Sequence, residues 1–166
     1  MSAKVSVSVL SRRLLLGVLL AAMAACGAVT PVEARHSKPL TQPLTVVDSA
    51  GKPHRFNVEF VDTDASRERG LMYRTALAPN AGMLFDFLTP QQTAFWMKNT
   101  YIRLDIIFIA PDGHILNIAK QATPLSEEEL LSAGPVRGVL EIPGGRSDQL
   151  GIGPGDLVKH PIFGTG

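Results

Sequence analysis

The chain has 166 residues with 16 Lys+Arg against 15 Asp+Glu, a formal charge of +1, which excludes a polycationic nucleic-acid arm or an acidic tail. Hydrophobic residues make up 45% and charged residues 19%, too apolar and too sparsely charged for a disordered chain. The 15 Gly and 12 Pro predict short elements joined by many turns, and the length suits one domain.

Lys4, Arg12 and Arg13 precede an apolar run from Leu14 to Ala25, too short to span a bilayer and the right size for a signal peptide over residues 1–34. Val32-Glu33-Ala34 supplies the small-x-small cleavage pattern and places the mature start at Arg35. A lipid anchor at Cys26, after Met23-Ala24-Ala25, is the competing reading, although Met23 stands where such sites usually carry Leu. Ser11-Arg12-Arg13-Leu14 also resembles a twin-arginine signal. The destination is periplasmic or secreted. From Arg35 onward there is no cysteine, so neither a disulfide nor a thiolate metal site is available.

Residues 35–43 are polar, hold two prolines and read as a flexible tether, with one β-rich domain over 44–166. Leu44 to Val47 and Arg55 to Val61 flank a turn at Ser49-Ala50-Gly51, predicting an antiparallel hairpin. Thr63 can cap a short helix over Asp64 to Leu71, acidic early and basic late as the helix dipole favours. Met83 to Phe87 and Thr93 to Met97 read as strands separated by Thr89-Pro90-Gln91. Tyr101 to Ile109 becomes apolar on both faces, which implies a central strand, and Asp112-Gly113 returns the chain as Ile115 to Ala122. These two strands are expected at the sheet centre. Ser126 and Glu129 form a capping-box pattern that predicts one helical turn through Leu131. Val136 to Ile142 reads as a strand, Ser147 to Leu150 as a helical turn, and Leu157 to His160 as the last strand. The fold class is mainly β (α+β): an antiparallel sheet curled into a small barrel or sandwich with two or three short helices.

Residues 69–105 concentrate Met72, Met83, Met97, the sole tryptophan Trp96, three arginines and Asn99. Thioethers beside an indole could hold Cu(I), but methionines and aromatics also fill ordinary cores, and no histidine lies near in sequence. No cofactor is implied. Asp105, between Leu104 and Ile106, needs an ionic or hydrogen-bonding partner if buried, with Arg69, Arg74 and Arg103 available for an ion pair. Asp105 and Glu141 could instead form the carboxylate pair of a glycan hydrolase. No G-x-S-x-G and no phosphate loop is present, and the glycines around Pro143 and Pro154 read as turns. The scattered basic residues form no stripe for nucleic acid, no run is long enough for a membrane span, and nothing sets an oligomeric state.

Arg69-Gly70-Leu71-Met72-Tyr73-Arg74, Gly82-Met83-Leu84-Phe85-Asp86-Phe87, Phe95-Trp96-Met97-Lys98-Asn99-Thr100, Leu104-Asp105-Ile106 and Val139-Leu140-Glu141 follow one another in an order that resembles the domain of unknown function 192 family. The resemblance spans roughly Leu44 to His160. It implies a small, often exported bacterial or archaeal domain of mainly β structure, and it brings no established activity or catalytic residues. Two positions depart from the family pattern: Arg103 stands where a proline is common, and Pro143 near where an asparagine is common.

The leading functional reading is an exported binding or accessory domain. Its ligand, an anionic small molecule or a glycan, would meet Arg69, Arg74, Trp96, Lys98, Asn99 and Asp105 at one rim of the β scaffold. The alternatives are the hydrolase and a purely structural protein, in which Trp96 or Met97 anchors the core and the arginines pair Asp86 and Asp105. Processing is directly testable. The intact mass of the exported protein should correspond to a chain starting at Arg35, and a diacylated species starting at Cys26 would replace the soluble form with an anchored one.

Overall fold

The computed structural model describes residues 40–165, so the expected signal peptide, Cys26 and most of the expected tether lie outside the described residues. The first hairpin pairs β1 (Thr41–Val47) with β2 (Pro53–Val61) antiparallel, from Thr41↔Glu59 to Val47↔Pro53. The strand starts three residues before Leu44, because Thr41 to Pro43 need only a backbone partner, which β2 supplies, and their exposed side chains give no apolar signal. Next comes α1 (Asp64–Arg69), with Thr63 Oγ1 accepting from the Ser66 amide at 3.3 Å and Ser66 Oγ accepting from the Thr63 amide at 3.1 Å. It ends at Gly70, which has a positive φ of 44°.

This helix makes a crossover, so β2 and β3 (Ala81–Gln91) run parallel from Asn57↔Ala81 to Val61↔Phe85. The sheet is therefore mixed, where a purely antiparallel one was expected; the segment between the two strands is long enough for a crossover connection, which a tight turn is not. Strand β3 also continues through Thr89-Pro90-Gln91, expected as a break. Its ladder with β8 (Val136–Pro143) is interrupted between Asp86 and Gln91, and Leu88 takes a φ of 60°, so Pro90 sits in an irregular stretch that does not require its missing amide.

Between them in sequence lie β4 (Ala94–Phe95), β5 (Leu104–Ile109), β6 (Ile115–Ala122) and β7 (Leu130–Leu131). No helix forms after Ser126. Its hydroxyl accepts from the Glu128 amide at 3.2 Å as a local turn, and the segment continues into β7, which pairs with β4 as a separate two-stranded sheet. After β8 come α2 (Arg146–Leu150), β9 (Leu157–Lys159) and a 3₁₀ turn at Pro161–Phe163.

The main sheet has the order β6-β5-β8-β3-β2-β1-β9. All six residues of β5 are buried, as its two apolar faces demand, but β6 closes one end of the order and β8 and β3 occupy the middle. The sheet curls until its ends meet: His114 bridges Leu157, and the Val158 amide donates to Gly113 O at 2.8 Å. Among the described residues no helix is long and apolar enough to cross a membrane.

Alternation along the strands builds two apolar clusters, one on each face. Leu84, Ile107, Ile109, Leu140 and Ile142 belong to the first, with Val46, Val58 and Val158. Met83, Phe85, Ile106, Phe108 and Val139 belong to the second, with Met97. Asp105 points to the first face and is fully buried. Among the described residues no arginine reaches it, in contrast to the expected ion pair. Its Oδ1 accepts from the Gln121 and Gly145 amides at 2.8 Å each, and its Oδ2 from the Ser147 amide at 2.8 Å and hydroxyl at 2.7 Å. Arg69 and Arg103 are exposed instead, and Arg103 bonds Gln121 O at 3.4 Å.

Removing this carboxylate would leave three backbone amides without their acceptor. Asp105→Ala should lower stability by about 3–5 kcal/mol, read as a reduced denaturation midpoint with an unchanged slope. A loss below about 1 kcal/mol would mean that water replaces the carboxylate at little cost.

Candidate functional site

On the second face, α1 and the β4 segment cover the sheet without sealing it and leave a cavity of about 680 Å³. Phe85 and Phe87 reach it from β3, and Phe95 from β4. Phe95 meets Phe85 edge-on at 5.0 Å between centroids and Phe87 at 6.4 Å, and its remaining contact with Phe108, at 6.0 Å, ties this wall to the core. Met97 is buried in the second cluster, while Trp96 is 48% exposed and faces the opening. The alternation expected for these two residues is present, with Met97 as the anchor.

The rim is charged. Arg67 lies over the Phe87 ring at 5.6 Å and donates to Asp62 O at 2.6 Å and Asp86 O at 2.7 Å. Arg69 is exposed and has no ion-pair partner among the described residues. Lys98 Nζ sits 5.0 Å from the Trp96 ring centroid and 3.8 Å from Glu127, so its charge stays close to the indole. Asn99 adopts a left-handed φ of 55°, its carbonyl accepts from the Tyr73 amide at 2.8 Å, and its Nδ2 contacts Met72 Sδ at 3.8 Å. Glu68, beside Arg67 and Arg69, keeps the rim from being purely cationic.

Four of the six predicted site residues, Arg69, Trp96, Lys98 and Asn99, thus line one cavity. Arg74 does not, because Glu59 on β2 holds it at 2.6 Å. Asp105 does not either, since it faces the other side of the sheet. The pairing expected between these arginines and Asp86 is made by a different residue, Arg137, at 2.7 Å and 3.0 Å. Desolvation works against the Asp86 charge, but the Arg137 guanidinium and the Leu88 amide outweigh it and hold the carboxyl below its usual range. Of the three thioethers weighed for copper, Met83 and Met97 pack in the core and Met72 alone lines the cavity.

The cavity also reaches Glu141. In register, Glu141 stands between Met83 of β3 and Ile106 of β5, while Asp105 stands opposite Ile142. The two carboxylates therefore project to opposite faces of the sheet and cannot flank one glycosidic bond. Glu141 is 5% exposed, its Oε2 has no hydrogen-bond partner among the described residues, and burial pushes its carboxyl up to about 8. The segment Leu140-Glu141-Ile142 signals a buried acid but not which face it takes.

Because its folded value lies near 8 and its ordinary value near 4.5, Glu141 binds a proton in the native state that the unfolded chain releases between those limits. Its stabilising contribution is complete below the lower limit and lost as pH rises through the upper, a change of about 5 kcal/mol. Glu141→Gln stays neutral throughout. Guanidinium unfolding at pH 5 and pH 9 should show the variant close to the parent at the first and more stable at the second. An identical difference at both would mean that Glu141 titrates normally.

No curated protein matches the chain. Solved structures similar to the chain include the following two. One, from Sinorhizobium meliloti 1021 and described as a candidate transcription regulator, is 40% identical with a TM-score of 0.73, the match covering 76% of this chain and 98% of the other. The second, a protein of unknown function from Novosphingobium aromaticivorans DSM 12444, is 44% identical with a TM-score of 0.72, covering 80% of this chain and 91% of the other. Residues 45–160 match the model of DUF192, a family described as "Uncharacterized ACR". The chain belongs to the DUF192 family.

Proposed function

We propose that this chain is an exported binding domain for a small anionic ligand with an apolar body. The observation that carries the reading is the cavity of about 680 Å³, which has aromatic walls, an Arg69 at its rim with no ion-pair partner among the described residues, and Trp96 half-exposed at its mouth. A volume of this size suits one small molecule, and pockets of this kind combine apolar walls with a few polar groups that fix orientation. Phe85, Phe87 and Phe95 favour a ring or chain, while Arg69 and Lys98 favour a carboxylate or similar anion. Export rests on the basic residues, apolar run and Val32-Glu33-Ala34 pattern of the first 34 residues.

Trp96 is the sole indole, so its emission reports on the rim alone. Titration with 4-phenylbutanoate should give a saturable blue shift as the ring is covered, absent with the neutral amide of the same acid. Arg69→Ala, at an exposed position, should leave the fold intact and weaken binding about threefold to tenfold. A folded protein whose emission ignores arylalkanoates overturns the reading, and a saturable response to a neutral trisaccharide alone would turn it to glycans.

A further inference from the structure

Among the described residues, four carboxyl side chains are buried, and three have partners. Asp86 has Arg137 and the Leu88 amide, Asp105 has its four donors, and Asp156 Oδ2 accepts from the Gly153 amide at 2.8 Å. Glu141 Oε2 has none. The other orphaned atom of this kind, Arg146 Nε, belongs to a guanidinium whose remaining nitrogens bond Asn80 and Gln149. The strands on either side offer Glu141 no donor: Met83 and Ile106 are its register partners, and both are apolar.

The charged groups that face the same cavity leave it unpartnered too. Arg67 is spent on Asp62 O, Asp86 O and Asp64, Lys98 lies against Trp96 and near Glu127, and Arg69 and Glu68 are exposed at the rim. A carboxyl group in such surroundings keeps its proton, because ionisation without a partner in an apolar site is costly. It then offers one O–H donor and retains acceptor capacity.

We propose that Glu141 is a specificity-determining residue of the cavity: as the neutral acid, it donates its O–H to a carbonyl or hydroxyl oxygen at the buried end of the ligand. This rests on the binding reading above and narrows it. The ligand class becomes an anion with an apolar middle and an oxygen acceptor at the end remote from its charge. The arrangement is directional, since the cations line the mouth and the protonated acid lies beneath. An ammonium or guanidinium at the buried end would instead require Glu141 to ionise, and would meet Arg67, Arg69 and Lys98 on its way in.

The test uses the purified protein and two calorimetric probes, 4-(4-acetylphenyl)butanoate and its isopropyl isostere, which differ in one oxygen acceptor. At pH 6.5 the acetyl probe should bind tighter by roughly tenfold or more, because the isostere leaves a buried donor unpaired. That preference should collapse between pH 7.5 and 9.5, as the acid ionises near pH 8. Glu141→Gln, whose amide still donates, should retain the preference at every pH, and Glu141→Met should abolish it. Equal binding of both probes to the parent at pH 6.5 overturns the role of Glu141 while leaving the binding domain standing. A preference that grows with pH also overturns it, since an ionised carboxylate only accepts and could not be the source of a preference for an oxygen acceptor. If the folded parent binds neither probe, the binding reading falls and this inference with it. The pH arm on the parent needs no variant, so a variant that fails to fold does not blunt the test.

Discussion

Asp105 is the constraint on which the rest of this structure depends. One buried carboxylate draws donors from the end of β6, the turn after β8 and the start of α2, and two of these donors, Gln121 and Gly145, sit at left-handed φ values of 49° and 81°. Such conformations persist where their surroundings hold them, and here the acceptor does so. The same bonds fix β5 against β8. A slip of one residue would turn Asp105 into the second cluster, away from every one of its donors, and would exchange the faces of the apolar residues on β5. The register in which Glu141 meets the cavity is therefore set by an acid on the neighbouring strand.

The cavity exists because the second face is covered by short pieces. The helix α1 has six residues and the β4–β7 sheet only two residues per strand, too little to fill the space over β3 and β8. Backbone proximity beneath it is equally specific. At Gly82 an added Cβ would lie 2.6 Å from the Glu141 carbonyl oxygen, so β3 and β8 approach as they do only because this position carries no side chain. At Gly70, which combines a φ of 44° with a would-be Cβ 3.3 Å from Phe85 Cζ, the chain leaves α1 against the aromatic wall.

Much of this was legible in the residues. The hairpin turns around Gly51 and Gly113, the Thr63 cap and the doubly apolar β5 each have a local cause, and each element forms where that cause lies. Ser126 misled because its capping pattern is local while the competing demand is not: β4 needs a partner, and Leu130–Leu131 supplies it. The parallel pairing of β2 with β3 escaped for a similar reason, since a helix between two strands does not state which way the second one runs. Arg74 left the site through that same topology, captured by Glu59 on β2. Asp105 kept its need for partners but found them in main-chain amides, whose availability no side-chain pattern records.

Asp105 and Glu141 show where legibility ends and why. Each is an acid embedded in an apolar strand, on adjacent strands and one register step apart, and the chain around either predicts burial. What separates them is the face. On one side three segments converge with four donors, so both carboxyl oxygens are satisfied and the group serves the fold. On the other side lie Met83, Ile106 and an open cavity, so the hydrogen-bonding capacity is left over. Alternation within a strand gives the relative parity of its own residues, but absolute facing requires the partner register, which only the assembled sheet defines. An acid that the fold satisfies is a structural element, and one that the fold buries and leaves unsatisfied is a demand placed on something outside the chain.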